Sequence, residues 1–125
     1  MIEPLAGFPP KVPAFACKGH VTKDDYETVL IPDVEEALKG RGKLRLYYRT
    51  DPDFSGIAPG AIWDDFKLGV EHLLRWERFA IVSDVDWIRY ALRAFSFLIP
   101  GIVKFFHLDE EAKARESILE GKGLT

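Results

Sequence analysis

The 125-residue chain has one cysteine, Cys17, set within an apolar stretch. That excludes a disulfide framework and a cysteine-rich zinc site, and it suits a reducing, cytoplasmic setting. An excess of either charge is also missing, since 17 Lys and Arg face 20 Asp and Glu for a formal net charge of −3, with the signs interspersed. Recognition of a nucleic acid leaves a basic footprint, so nucleic acid is not an expected partner. No apolar run reaches the roughly 20 residues that span a bilayer. The longest, Ala91 to Phe106, is broken by Arg93, Pro100, Gly101 and Lys104, so any membrane contact is expected to be peripheral. The opening MIEPLAGFPP carries Pro4, Pro9 and Pro10 where a secretory leader has a basic region and an apolar core.

Signatures of chemistry are equally scarce. Neither G-x-G-x-x-G nor G-x-x-x-x-G-K occurs, so there is no phosphate-cradling loop. His20, His72 and His107 are scattered, without the His-Glu helix spacing of a zinc site. No metal and no cofactor are expected, and the chain reads as a non-enzyme. Internal repeats, low-complexity tracts and Ser/Gly linkers are absent, and with 47% hydrophobic residues a single domain over residues 1–125 has an ample core.

What is present alternates between strand and helix patterns. Val12 to Gly19 reads as a short buried strand, with Pro13 favouring a sheet edge or bulge. Thr22 and Asp25 have capping-box spacing at the start of a helix in which Pro32 ends one turn and restarts another, and Gly40 to Gly42 closes it. Lys43 to Thr50 alternates Leu44, Leu46 and Tyr48 with polar neighbours, a strand with one face inward. A helix is predicted over Ala61 to Trp76, then an apolar strand over Arg78 to Ser83 and a second helix over Val85 to Leu98. Pro100 and Gly101 break that helix, the segment IVKFF forms a last strand, and Asp109 caps a closing helix to about Glu120. The expected fold is α/β, a single open, largely parallel sheet flanked by helices.

Ligands of open parallel sheets gather beyond the carboxyl ends of the strands. Three predicted strands end in polar residues: Asp51 and Asp53, Ser83 with Asp84 and Asp86, and His107 with Asp109. Such a cluster can hold magnesium or supply a general base, but Asp84 and Asp109 also stand where helix caps belong. The pairs Asp24-Asp25 and Asp64-Asp65 point about 100° apart on a helix and form no shared site.

The helix SDVDWIRYALRAFSFLI carries more apolar surface than one sheet covers. Asp86, Arg89, Arg93 and Ser96 make one narrow polar stripe. Ile88, Ala91, Leu92, Phe95 and Ile99 make a core face, while Trp87, Tyr90, Ala94, Phe97 and Leu98 lie on the flanks. Trp87, Tyr90 and Phe97, joined by Trp63 of the preceding helix, are candidate contacts for an apolar small molecule, a lipid or a membrane surface, with Arg89 and Arg93 suited to anionic headgroups. A homodimer is also expected, formed through the same surface.

The blocks HVTKDDYETVLIPDVEEAL, FSGIAPGAIWDDFKLGVEHLLRWERFAIVSDVDWIRY and VKFFHLDEEAKAR together resemble the SpoIIAA-like bacterial proteins over most of the chain. The resemblance implies the compact α/β fold of anti-sigma factor antagonists and STAS domains, similar in outline to CRAL-TRIO lipid-carrying domains. It implies binding or regulation and no reaction. It also singles out Ser55, nearest in position to the serine phosphorylated in the sporulation regulators. Here Phe54 stands between Asp53 and Ser55, and Ala58, Pro59 and Gly60 separate the serine from the helix, so Ser55 and Gly56 also read as plain turn residues.

Overall fold

The computed structural model describes residues 1–40, 42–62, 67, 71, 73–95 and 101–120. Its centre is a five-stranded sheet of β1 (Ile2–Pro4), β2 (Ala14–Cys17), β4 (Leu44–Thr50), β6 (Trp76–Val82) and β7 (Ile102–Phe106), side by side in that order. β1 runs antiparallel to β2, and the other pairings are parallel. A two-stranded parallel ribbon, β3 (His20–Val21) with β5 (Gly56–Ile57), sits apart from it. The largely parallel sheet expected from the sequence is therefore present.

Strands β2, β4, β6 and β7 succeed one another in space as in sequence. Crossovers of one hand then deliver their helices to the same face. On that face α2 (Ile31–Leu38) contributes Val34, and α3 (Asp86–Phe95) contributes Ile88, to a core with Phe15, Cys17, Leu44, Leu46, Tyr48 and Ile81. The last helix, α4 (Glu111–Leu119), turns back to the other face and buries Ala114 and Ile118 against Val12, Ala14, Tyr47, Ala80 and Val82.

That second core corrects two strand expectations. β4 was read as having one face inward, yet Leu44 to Tyr48 are buried on both faces because α4 covers the side bearing Arg45 and Tyr47. Arg45, 1% exposed, tolerates this because Nε donates to Glu77 Oε2 at 3.0 Å and Nη1 to the Ile118 carbonyl at 2.8 Å, and also to the Glu120 carbonyl. A bulge opposite Leu44 and Arg45 brings Glu77 alongside. β2 is not an edge, because Pro13 lies just outside the strand and β1 covers the flank that the proline was expected to leave open.

The capping box at Thr22 is formed: Thr22 N–H donates to Asp25 Oδ2 at 2.8 Å and Asp25 N–H to Thr22 Oγ1 at 3.1 Å. It starts α1 (Lys23–Asp25), which runs into a π-helical turn over Tyr26–Leu30 and then into α2. Pro32 thus stands in the first turn of α2, where the π-helical turn has ended and an α-helical one begins, as expected. Its missing N–H and bulky ring are absorbed by the wider turn just before it, where Ile31 N–H reaches back to Tyr26 O. The helix expected over Ala61 to Trp76 begins two residues earlier, at Pro59; within the expected span residues 61, 62, 67 and 71 are helical, whereas Leu73–Arg75 is a 3-10 turn and Trp76 already belongs to β6.

Candidate functional site

The outer face of α3 forms because its start is fixed from below. Ser83, fully buried at the end of β6, takes the Val85 N–H on Oγ at 3.0 Å and so sets the helix direction. Ile88 then enters the core, and Leu92 and Ala91 are half-buried beside it, with Val103 and Phe105 of β7 in the same cluster. The residues one turn round are left outside: Trp87 is 49% exposed, Tyr90 is 71% exposed, and Ala94 is exposed too. The 100° step of a helix places Tyr90 between Trp87 and Arg93 on this face.

The two arginines have different surroundings. Arg89 is half-buried, its Nη1 donates to the Ser83 carbonyl at 3.4 Å, and its guanidinium carbon lies 5.9 Å from the Phe105 ring centre. Arg93 also reaches over Phe105, at 5.6 Å, but is exposed. Of the six residues expected to form the binding face, α3 carries Trp87, Tyr90 and Arg93 on its exposed side, whereas Arg89 lies half-buried toward β7, nearly opposite Trp87. Trp63 and Phe97 lie outside the described residues, as do His72, Asp64, Asp65, Ser96, Leu98 and Ile99.

The polar strand ends form a second cluster. Thr50 Oγ1 donates to Ser83 Oγ at 2.6 Å, joining the ends of β4 and β6. Asp51 accepts from Arg49 Nε at 2.7 Å and faces Lys18 Nζ at 3.7 Å. Asp84 Oδ1 lies 3.2 Å from His107 Nδ1 and accepts the Leu108 N–H at 3.1 Å. Neither cap expected from sequence is made as expected: Asp84 accepts from the turn leading into α4, not from α3, and among the described residues Asp109 caps no N–H. Glu110 instead reaches back to the His107 N–H at 3.0 Å. Among the described residues no group of His, Cys, Asp or Glu is placed to hold a metal ion.

Between these loops lies a cleft of about 280 Å³ lined by Thr50, Asp51, Pro52, Phe54, Asp84, Val85 and Leu108. Phe54, Val85 and Leu108 were not singled out from the sequence. Their signal was positional, since each follows or faces the end of a parallel strand. Ser55 is exposed, with its N–H bonded to the Gly19 carbonyl at 2.9 Å, in the turn that precedes β5, and is not among the residues lining the cleft.

Charge is organised more for structure than for reaction. Glu111 receives Arg49 Nη1 at 2.6 Å and the Tyr47 hydroxyl at 3.1 Å, tying the first turn of α4 to β4. Burial, reinforced by the Glu111 charge, raises the Tyr47 phenol above its ordinary range, so it stays protonated as a donor. Asp25 is held below the usual carboxylate range, chiefly by the Thr22 N–H.

With this frame and these loops in view, the family profile described as SpoIIAA-like matches residues 12–118. The chain belongs to the SpoIIAA-like family. A solved SpoIIAA-like structure, an uncharacterized protein from the DUF3478 family of Shewanella loihica PV-4, is similar to it with a TM-score of 0.68 and 29% identity, over 94% of this chain and 90% of that one. No curated protein matches the chain. The SpoIIAA-like frame agrees with the mostly parallel sheet and with the order of the blocks read from the sequence. No helix among the described residues is long and apolar enough to cross a membrane.

Proposed function

We propose that this protein is a non-enzymatic binding module whose α3 outer face docks reversibly on an anionic membrane surface. The observation that carries this reading is the exposure of Trp87 and Tyr90 on one side of a helix whose inner face is held in the core, with Arg93 at the border of the same side. Aromatic rings of this kind enter the headgroup and acyl boundary while an arginine reaches phosphate. Transferring the exposed parts of the two rings is worth roughly 2–4 kcal/mol before association costs. The net charge of −3 repels an anionic surface, so docking needs both the rings and the arginine. Flotation with vesicles tests this: binding is expected to be weak with neutral lipid and stronger with moderately anionic lipid. Equal absence from both would refute it.

A second reading is a partner switch governed by phosphorylation at Ser55. Family membership and the exposure of Ser55 support it, whereas the turn position away from a helix start does not. Incorporation of phosphate at Ser55, with a changed set of bound proteins, is the result that would promote it.

A further inference from the structure

We propose that Arg89 and Arg93, seated together on the ring of Phe105, form a phosphate site that selects membrane lipids with a phosphomonoester headgroup. The proposal rests on the α3 docking reading and adds to it the class of headgroup recognised. Residues four apart on a helix are neighbours, so two arginines at this spacing repel each other. Here both converge on one side chain of the edge strand β7: their guanidinium carbons lie 5.9 and 5.6 Å from the centre of the Phe105 ring. The electron-rich face of the ring offsets part of the repulsion and keeps two planar cations close.

Arg89 is anchored without being used up. Its Nη1 makes one long bond, 3.4 Å, to the Ser83 carbonyl, which leaves most of its N–H groups for an incoming acceptor. Asp86 is the single carboxylate of α3, and among the described residues no carboxylate is ion-paired with Arg89. Around the helix axis the order runs Trp87, Tyr90, Arg93, Arg89, so the arginines lie between the exposed rings and the sheet edge. A protein resting on a membrane through Trp87 and Tyr90 brings that border to the depth of the lipid phosphates. Charge then decides which lipid is favoured. A phosphodiester offers a single negative charge, whereas a phosphomonoester carries close to two, with three acceptor oxygens that can engage both guanidinium forks. Free phosphate has the same charge but gains nothing from ring insertion, so the occupant is a membrane lipid.

Flotation of the intact protein tests this with phosphatidylcholine vesicles carrying either phosphatidic acid or twice that fraction of phosphatidylglycerol, so that nominal surface charge is matched. Phosphatidic acid is expected to bind about fivefold more tightly. Phe105→Leu removes the ring face and keeps an apolar side chain, while Arg89→Lys removes the planar fork and keeps the charge. Each is expected to reduce the preference to less than about twofold, chiefly by weakening the phosphatidic acid arm. Equal binding of the two vesicles by the unaltered protein would overturn the proposal and leave the docking reading standing, whereas no binding of either would overturn both. A preference that survives both variants would place the selectivity elsewhere on the surface. Displacement from phosphatidic acid vesicles by inorganic phosphate at micromolar concentration would overturn the assignment to a lipid. Since the comparison of vesicles is made on the unaltered protein, it does not depend on any variant folding.

Discussion

Replacing Arg45 with methionine removes the most buried charge of the described core while nearly keeping its volume. Arg45 is 1% exposed, and among the described residues its guanidinium serves Glu77 Oε2 at 3.0 Å, the Ile118 carbonyl at 2.8 Å and the Glu120 carbonyl. Methionine fills the space but leaves the carbonyls at the end of α4 without their donor. A hydrogen bond to a charged group is worth about 1.5–3 kcal/mol, and an orphaned buried acceptor costs about 1–3 kcal/mol. Glu77 is 37% exposed and returns to water, so the ion pair itself is discounted. The expected loss is about 3–5 kcal/mol. With a urea slope of about 2 kcal/mol per M, the midpoint falls by about 1.5–2.5 M. Urea unfolding followed by circular dichroism measures this, with hydrogen exchange reporting earlier opening of α4. Glu77→Gln is expected to cost less, about 1–2 kcal/mol, because an acceptor stays in place. A change of less than about 1 kcal/mol for Arg45→Met would refute the claim that this side chain fastens α4 to the sheet.

Four further outcomes follow from the same structure. Gly101→Ala is expected to destabilise by about 1–3 kcal/mol, because an added Cβ would come within 2.8 Å of the Glu77 carbonyl oxygen and 3.2 Å of that of Trp76; a neutral effect on thermal melting would show that β7 can shift outward freely. Asp25→Ala is expected to cost about 0.5–2 kcal/mol at neutral pH. Because the Asp25 carboxyl is lowered in the folded state, its contribution is complete above the unfolded value of about 3.9 and is lost as pH falls through the folded one; a difference between variant and parent that persisted in full below that range would contradict the assignment. Ser55→Asp is expected to change stability by no more than about 0.5 kcal/mol and to leave the profile of captured proteins unaltered, and a reproducible change in that profile would favour the switch. Light scattering at micromolar concentration is expected to give twice the chain mass if α3 pairs with a second copy through Trp87 and Tyr90; a dimer that survives Tyr90→Asp would place the interface elsewhere.

The repeating parts of the fold were legible because they bury continuous or alternating apolar runs. The cores of β6, β7 and α3 show as periodic greasy stretches, and Thr22 with Asp25 marks a helix start through contacts three residues apart. What escaped the pattern depends on distant partners. Arg45 alternates with Leu44 and Leu46 like a solvent-side residue, and its burial becomes affordable only when Glu77 and the end of α4 arrive from remote positions. Asp84 looked like the cap of the helix beside it, yet its oxygen meets Leu108. β1 was missed because Ile2–Pro4 is too short to show a period and ends in proline. The α3 face was visible as a surplus of apolar residues, but Arg89 and Arg93 read alike, and only the structure separates a half-buried arginine from an exposed one.

Fluorescence quenching by brominated lipid tests the membrane face most directly, because it reports where a particular ring sits. In a Trp63→Phe background the remaining indoles are Trp76, which is buried, and Trp87, which is half exposed. With anionic vesicles containing bromine near the headgroup end of the acyl chains, Trp87 is expected to be quenched. The signal should survive Arg89→Ser better than Arg93→Ser, and it should vanish in Trp87→Phe. Unquenched Trp87 in the presence of anionic lipid, or equal quenching with and without Trp87, would contradict docking through α3.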